Sequence, residues 1–241
     1  MPFITLNGLG HDSARVFALM CFPNDESVQK QFLAIRTIEK IPKDADPQET
    51  FPISVAELRM LAASPSQAEI YEQVSEAVKR AVTAGDILSI MYLMDKFSEQ
   101  NTAFKKPSFN RALHVSMKFS LTARYGDGTV LPRSEQTIRK NWKEFRSVSH
   151  LWAALRIDQD YPFMSKIGPF DDGENFQRFL GLALEIGRFA TSYCPDHTKL
   201  ATPLIDPESL WLPPSSVKPF TPDFDIVPDA LLKYLGTYKA G

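Results

Sequence analysis

Apolar residues recur at intervals of three and four positions along most of this 241-residue chain, and this spacing constrains the fold more than any other feature. Such spacing places apolar side chains on one face of an α-helix, whereas a half-buried β-strand would alternate apolar and polar residues. The helical pattern is clear in residues 12–21, 25–38, 66–81 and 171–193. We therefore expect an all-α protein that is built as a multi-helix bundle.

Residues that favour helix starts precede several of these segments. Ser54 with Glu57, and Ser66 with Glu69, have the spacing of a capping box, in which each side chain accepts a hydrogen bond from the other residue's backbone. Gly85 lies within the apolar pattern that follows the second pair. Because glycine weakens helices, we expect Gly85 to break that pattern into two helices.

Two parts of the chain depart from the helical pattern. An Asp-Gly pair at Asp127 lies between short β-prone pieces, which predicts a short β-hairpin near residues 123–131. Residues 200–228 carry seven prolines, and that density prevents a helix because proline lacks a backbone N–H. Apolar residues such as Trp211 and Phe220 are interspersed there, so we expect a Pro-rich C-terminal strap laid over the core.

Composition excludes several classes of protein. Cys21 and Cys194 are too few for a disulfide scaffold, and we interpret both as small buried apolar residues. The apolar run at residues 16–22 lacks the basic segment and the small-residue cleavage site of a signal peptide. No apolar stretch reaches about 18 residues, the length that a membrane span needs. We expect a cytoplasmic protein without membrane contact.

Charge is distributed unevenly, although the formal net charge is only −2. Residues 105–156 hold 11 basic and 3 acidic residues, a net charge of +8, whereas residues 1–104 and 157–241 each have a net charge of −5. A cluster of Lys and Arg is the electrostatic footprint of a phosphate-binding surface. We distinguish an N-terminal helical region, a basic region and a C-terminal region with a helix and the strap, a division that is also compatible with one domain.

One segment of the basic region has two distinct helical faces. It follows Ser134, a favourable N-cap, and places Ile138, Trp142 and Phe145 on one apolar face. The other face carries long cations, which suit phosphates, and Gln136, whose amide can pair with a base edge. The candidate nucleic-acid-binding residues are Arg133, Ser134, Gln136, Arg139, Lys140, Lys143 and Arg146.

This segment, together with the helix expected from Pro107 to Ser120, resembles the recognition region of helix-turn-helix DNA-binding proteins. The likeness is carried by the Ser-capped run Ser-x-x-Thr-Ile-Arg-Lys-x-Trp and is confined to residues 105–156. The usual turn has about 3 to 4 residues. Here the connection extends from about Leu121 to Arg133, and the expected hairpin would occupy it. The resemblance implies a regulator that contacts duplex DNA with a basic helix.

Candidate catalytic groups are sparse. Cys194 and His197 form a single Cys-x-x-His pair, without a second pair at the spacing of a zinc site. A complete dinucleotide fingerprint, a Walker lysine and a nucleophile elbow are absent from the sequence. Carboxylates that suit Mg²⁺ in a nuclease occur at Asp158, Asp160, Asp171 and Asp172.

The sequence therefore predicts a non-enzymatic DNA-binding regulator that uses neither a cofactor nor a metal. Two alternatives remain open. One is a helical interaction module, antitoxin-like or an adaptor, whose basic face binds an acidic protein. The other is a metal-dependent enzyme that acts on nucleic acid.

Overall fold

A long helix, α4, forms the centre of a helical bundle in the computed structural model, which describes residues 10–48, 53–63, 66–100, 106–118, 134–160 and 173–193. These residues contain eight α-helices, a single 3₁₀ turn at Arg146–Val148 and no β-strand, which confirms the all-α fold for this part of the chain. The helices are α1 His11–Cys21, α2 Glu26–Lys40, α3 Val55–Ala62, α4 Gln67–Gln100, α5 Phe109–Lys118, α6 Glu135–Phe145, α7 Ser149–Asp160 and α8 Glu174–Tyr193.

The other helices are arranged around α4. Helix α7 packs along it most extensively, and α1, α2, α5, α6 and α8 also contact it. Helix α3 packs on α2, and α8 packs on α7. Buried apolar side chains from every described helix except α3 join into one core. The basic helix α6 is therefore fixed to the same core as the rest of the described chain.

Local hydrogen bonds start the helices where the sequence predicts. The Ser54 hydroxyl accepts from the Glu57 backbone N–H at 3.2 Å, and the Glu57 carboxylate accepts from the Ser54 N–H at 3.0 Å. Ser66 and Glu69 make the same reciprocal pair, at 3.4 and 2.9 Å. Both expected capping boxes are confirmed, and each satisfies two backbone donors that a helix start otherwise leaves without partners.

The expectation that Gly85 breaks this part of the chain is wrong, because α4 continues through it for 34 residues. A Cβ atom at Gly85 would lie 2.5 Å from the Cβ of Trp152 and 2.7 Å from its carbonyl carbon. Glycine is needed here to let α7 approach the backbone of α4. Burial around this contact compensates for the weak helix propensity of one glycine.

Helix α4 is enclosed on all sides over residues 83–94, which are all buried. A polar group in such a place needs a partner, and Asp86 meets Arg156 of α7, with its Oδ1 3.1 Å from the arginine Nε. Nearby, the Trp152 indole N–H donates to the Met20 carbonyl at 2.9 Å. These polar contacts fix α7 relative to α4 and to the end of α1.

Several expectations fall outside the described residues, namely the β-hairpin near 123–131, the Pro-rich strap at 200–228 and the packing of Cys194. Cys21 ends α1 and is buried, and this burial raises the pKa of its thiol, as expected for an apolar packing residue. Among the described helices, none combines the length and the apolar composition that crossing a bilayer requires.

Candidate nucleic-acid interface

Helix α6 is held by its N-terminal cap and by one apolar face. The Ser134 hydroxyl accepts from the Thr137 backbone N–H at 3.2 Å, which confirms the predicted N-cap. Ile138 and Phe145 are each only 1% exposed and belong to the common core. The helix therefore has a fixed rotation about its axis, and its opposite face has a defined orientation.

Trp142 differs from its two neighbours on the apolar face. It is only partly buried, and its ring packs at the edge of the core against Phe109 of α5, with the ring centroids 5.2 Å apart. Asn141 is buried instead, and its side-chain amide donates to the Thr83 hydroxyl of α4 at 3.5 Å. The buried face of α6 therefore includes a polar amide, which the spacing of the apolar residues along the helix does not predict.

The outer face of α6 carries the residues that the sequence proposed for DNA contact. Ser134 is exposed at the start of the helix, and Arg146 is partly buried in the 3₁₀ turn after it. Arg133 lies outside the described residues. Gln136, Arg139, Lys140 and Lys143 are all exposed on this helix, and so are Glu135 and Thr137.

Arg139 is held in place by three neighbours. Its Nε donates to the Glu135 carboxylate at 2.8 Å, and its Nη2 donates to the Asn110 side-chain carbonyl at 3.3 Å. Its guanidinium carbon lies 5.4 Å from the centroid of the Phe109 ring, within the range of a cation–π contact. Sequence reasoning missed this support from α5. The arrangement orients the guanidinium but offsets part of its charge.

Lys140 and Lys143 differ from Arg139 in this respect. Within the described ranges, neither ammonium has a carboxylate within 4.0 Å. The second acidic residue of the helix, Glu144, is already paired with Arg80 of α4 at 2.6 Å. The two carboxylates of α6 are thus engaged by arginines, and the two lysines present their full charge to solvent.

The basic side chains of residues 105–156 do not all lie on one surface. Arg156 is buried against Asp86 in the core and adds nothing to an outer face. Lys106 is exposed just before α5, and its carbonyl accepts from the Arg111 guanidinium at 2.8 Å. The surface that the described residues define is therefore smaller than the net charge of the region implies.

The side chains of the four carboxylates considered as magnesium ligands lie outside the described part of the structure. Asp158 and Asp160 lie in the last turns of α7, and Asp171 and Asp172 precede the described start of the α8 segment. Within the ranges given above, no cluster of three His, Cys, Asp or Glu side chains has a geometry that could hold a metal ion.

Comparison with known proteins adds no relative to this description. No protein-family model, curated protein or solved structure matches the chain. The chemistry of α6 and of the helices beside it is therefore the basis for assigning a function.

Proposed function

We propose that this protein binds duplex DNA through the outer face of α6 and acts as a non-enzymatic regulator. One observation carries the proposal: an exposed row of cations and one amide lies on a helix whose other face is fixed in the core. An α-helix with its side chains is about 10–12 Å wide, and the major groove of B-DNA is about 12 Å wide. The row is formed by Gln136, Arg139, Lys140 and Lys143.

The residues of the row have three different roles in this proposal. Lys140 and Lys143 contact phosphates, because long, unpaired cations one turn apart can follow a DNA backbone. Gln136 lies in the first turn and pairs with a base edge, since its amide can donate and accept at once. Arg139, already bound by Glu135, contributes a weaker phosphate contact whose position is set by Asn110.

The acidic parts of the chain support the same proposal by restricting where DNA can approach. The regions on either side of residues 105–156 each have a net charge of −5. Repulsion from such regions disfavours non-specific attachment elsewhere and leaves α6 as the preferred contact.

Salt titration of DNA affinity tests the proposal. We expect Lys140→Gln and Lys143→Gln each to weaken binding to every duplex and to lower the slope of log affinity against log salt by about 0.9. Lys43→Gln is the matched control, because Lys43 is an exposed lysine in the loop after α2 and lies outside the proposed surface. It should leave the slope unchanged.

Two further variants separate sequence recognition from charge. Gln136→Ala should keep the salt slope but reduce the difference between a selected duplex and a random one. Glu135→Gln should raise the affinity for both duplexes, because it releases Arg139 from its carboxylate partner. If the wild-type protein shows no salt-dependent affinity for either duplex, DNA binding is excluded, and a helical module that binds an acidic protein becomes the better assignment.

A further inference from the structure

A second surface of the bundle has the opposite charge. An open groove of about 770 Å³ lies between the turn that joins α1 to α2, the first half of α4 and the end of α6. None of the residues proposed for DNA contact lines it. The groove is therefore separate from the surface proposed for DNA binding.

The floor of the groove is apolar and has a fixed shape. Phe22, Pro23 and Val28 line it, and each is partly exposed. The Gln29 side-chain amide donates to the Phe22 carbonyl at 2.6 Å, and the Asp25 carboxylate accepts from the Val28 backbone N–H at 3.1 Å. These bonds hold the turn between α1 and α2, so the apolar floor exists before anything binds to it.

The wall of the groove is acidic. Glu69, Glu72 and Glu76 lie on one face of α4 at positions i, i+3 and i+7, and all three are exposed in the groove. Within the described residues Glu72 has no ion pair, whereas Glu76 pairs with Lys79 at 2.5 Å. The wall extends over about two helical turns, or roughly 10 Å.

Arg80, the one cation among the described residues that line the groove, does not neutralise this wall. Arg80 is bound to Glu144 at 2.6 Å, and its guanidinium carbon lies 5.4 Å from the centroid of the Phe145 ring. The charge of Arg80 is therefore directed at α6. The remaining surface combines an apolar floor with the carboxylates of Glu69 and Glu72, which have no ion pair within the described residues.

We propose that this groove docks a cationic, amphipathic segment of a partner protein. Its apolar side chains would lie on the floor, and its lysines or arginines would face the carboxylates of α4. Amphipathic helices bind grooves in this way, with apolar anchors for affinity and complementary charges for orientation. The charge complementarity identifies the occupant, because a nucleic acid or an acidic segment is repelled by the same wall. This proposal does not depend on DNA binding by α6.

A direct binding measurement uses the full chain and a defined probe. The probe is a fluorescein-labelled helical peptide composed of leucine and lysine, with the leucines spaced to form one apolar face. Its matched control has glutamate in place of every lysine. In fluorescence anisotropy we expect saturable binding of the lysine peptide that weakens with salt, and no binding of the glutamate peptide.

Variants locate the binding on the protein. Glu72→Lys should weaken lysine-peptide binding about tenfold at low salt, because it replaces attraction by repulsion in the groove wall. Asp44→Lys makes the same change of charge in the exposed loop after α2 and should alter affinity less than about twofold. Val28→Trp, which fills the floor without changing charge, should also weaken binding, with circular dichroism used to confirm that the variant is folded.

Three results would overturn the proposal. Equal losses from Glu72→Lys and Asp44→Lys would show attraction to net charge alone, and so would non-saturable binding. Sedimentation that depends on protein concentration and is abolished by Glu72→Lys would place a second copy in the groove. DNA affinity measured on the same variants is a separate readout, because Glu72→Lys should not weaken it.

Discussion

At Gly85, helices α4 and α7 can approach each other closely only because glycine lacks a Cβ atom. The Trp152 Cβ occupies the space that a methyl group on α4 would need, at 2.5 Å from the position of that group. The ion pair between Asp86 and Arg156, next to this crossing, keeps the two backbones close. A glycine that weakens a helix locally is therefore required by packing between helices.

Gly85→Ala should destabilise the protein by about 1–3 kcal/mol, the usual cost of inserting an atom into a packed core. Helix propensity alone predicts the opposite sign, because alanine stabilises a helix interior by about 1 kcal/mol relative to glycine. Urea denaturation of the two proteins measures the difference. Greater stability in the variant would mean that α4 and α7 are farther apart in solution than in this structure.

The cap of α3 gives a prediction that depends on pH. Hydrogen bonds from the Ser54 hydroxyl and backbone lower the pKa of Glu57 below its ordinary value of 4.5. Because the folded-state pKa is lowered, the contribution of this cap is present above pH 4.5 and is lost as pH falls through the folded-state pKa. Ser54→Ala should raise the pKa of Glu57 towards 4.5 in an NMR titration.

Ser66→Ala is the matched control for that titration, because it removes the equivalent hydroxyl from the cap of α4. The pKa of Glu57 should not move in this variant. A Glu57 pKa that stays the same in Ser54→Ala as well would show that the capping box of α3 does not form in solution.

At the scale of elements, the ion pair between Asp86 and Arg156 ties α7 to α4. Their side chains are only 3% and 6% exposed. We expect Asp86→Leu and Arg156→Met each to destabilise the protein by about 3–5 kcal/mol, because each leaves one charge buried without its partner. The double variant should cost less than the sum of the two, as measured by a double-mutant cycle in urea.

A cycle on Lys79 and Glu76, whose side chains are 62% and 59% exposed, is the control and should give a coupling near zero. Additive costs at Asp86 and Arg156 would contradict the prediction, since they would show that the two side chains do not interact in the folded protein.

The sequence predicts those elements that short-range chemistry decides. Ser54, Ser66 and Ser134 are N-caps in the structure because a cap involves only the residues of one helical turn. Contacts between helices depend on residues far apart in the sequence, so no short-range pattern predicts them. The sequence therefore did not show that Gly85 lies against another helix, or that Arg156 leaves the basic surface for the core.

For the candidate interface too, the sequence predicted the local features and missed the contacts between helices. The exposed row on α6 follows from helical periodicity, and all four of its members are exposed as expected. The support that Asn110 and Phe109 give to Arg139 joins two helices separated by residues 119–134, so no local pattern indicates it. Trp142, which its spacing placed on the apolar face with Ile138 and Phe145, is only partly buried and lies at the edge of the core.

At the scale of the whole molecule, one core links all the described helices except α3, which packs on α2. We therefore expect the described part of the chain to unfold in a single transition, with far-ultraviolet circular dichroism and tryptophan fluorescence giving coincident urea curves. Hydrogen exchange in α1 and α8 should report the same free energy of opening. Separate transitions would instead support the division at residues 104 and 156 that the charge distribution suggests.

The enclosure of α4 has a consequence for the order in which the protein is made. Its last residue, Gln100, is synthesised well before α7 begins at Ser149 and α8 ends at Tyr193. At about 5–20 residues per second, the ribosome needs roughly 5–20 s to supply the helices that cover it. For that interval the nascent chain carries an apolar segment without its cover, which is the kind of surface that chaperones bind. The yield of folded protein in a cell should therefore depend on chaperones that hold the unfinished chain.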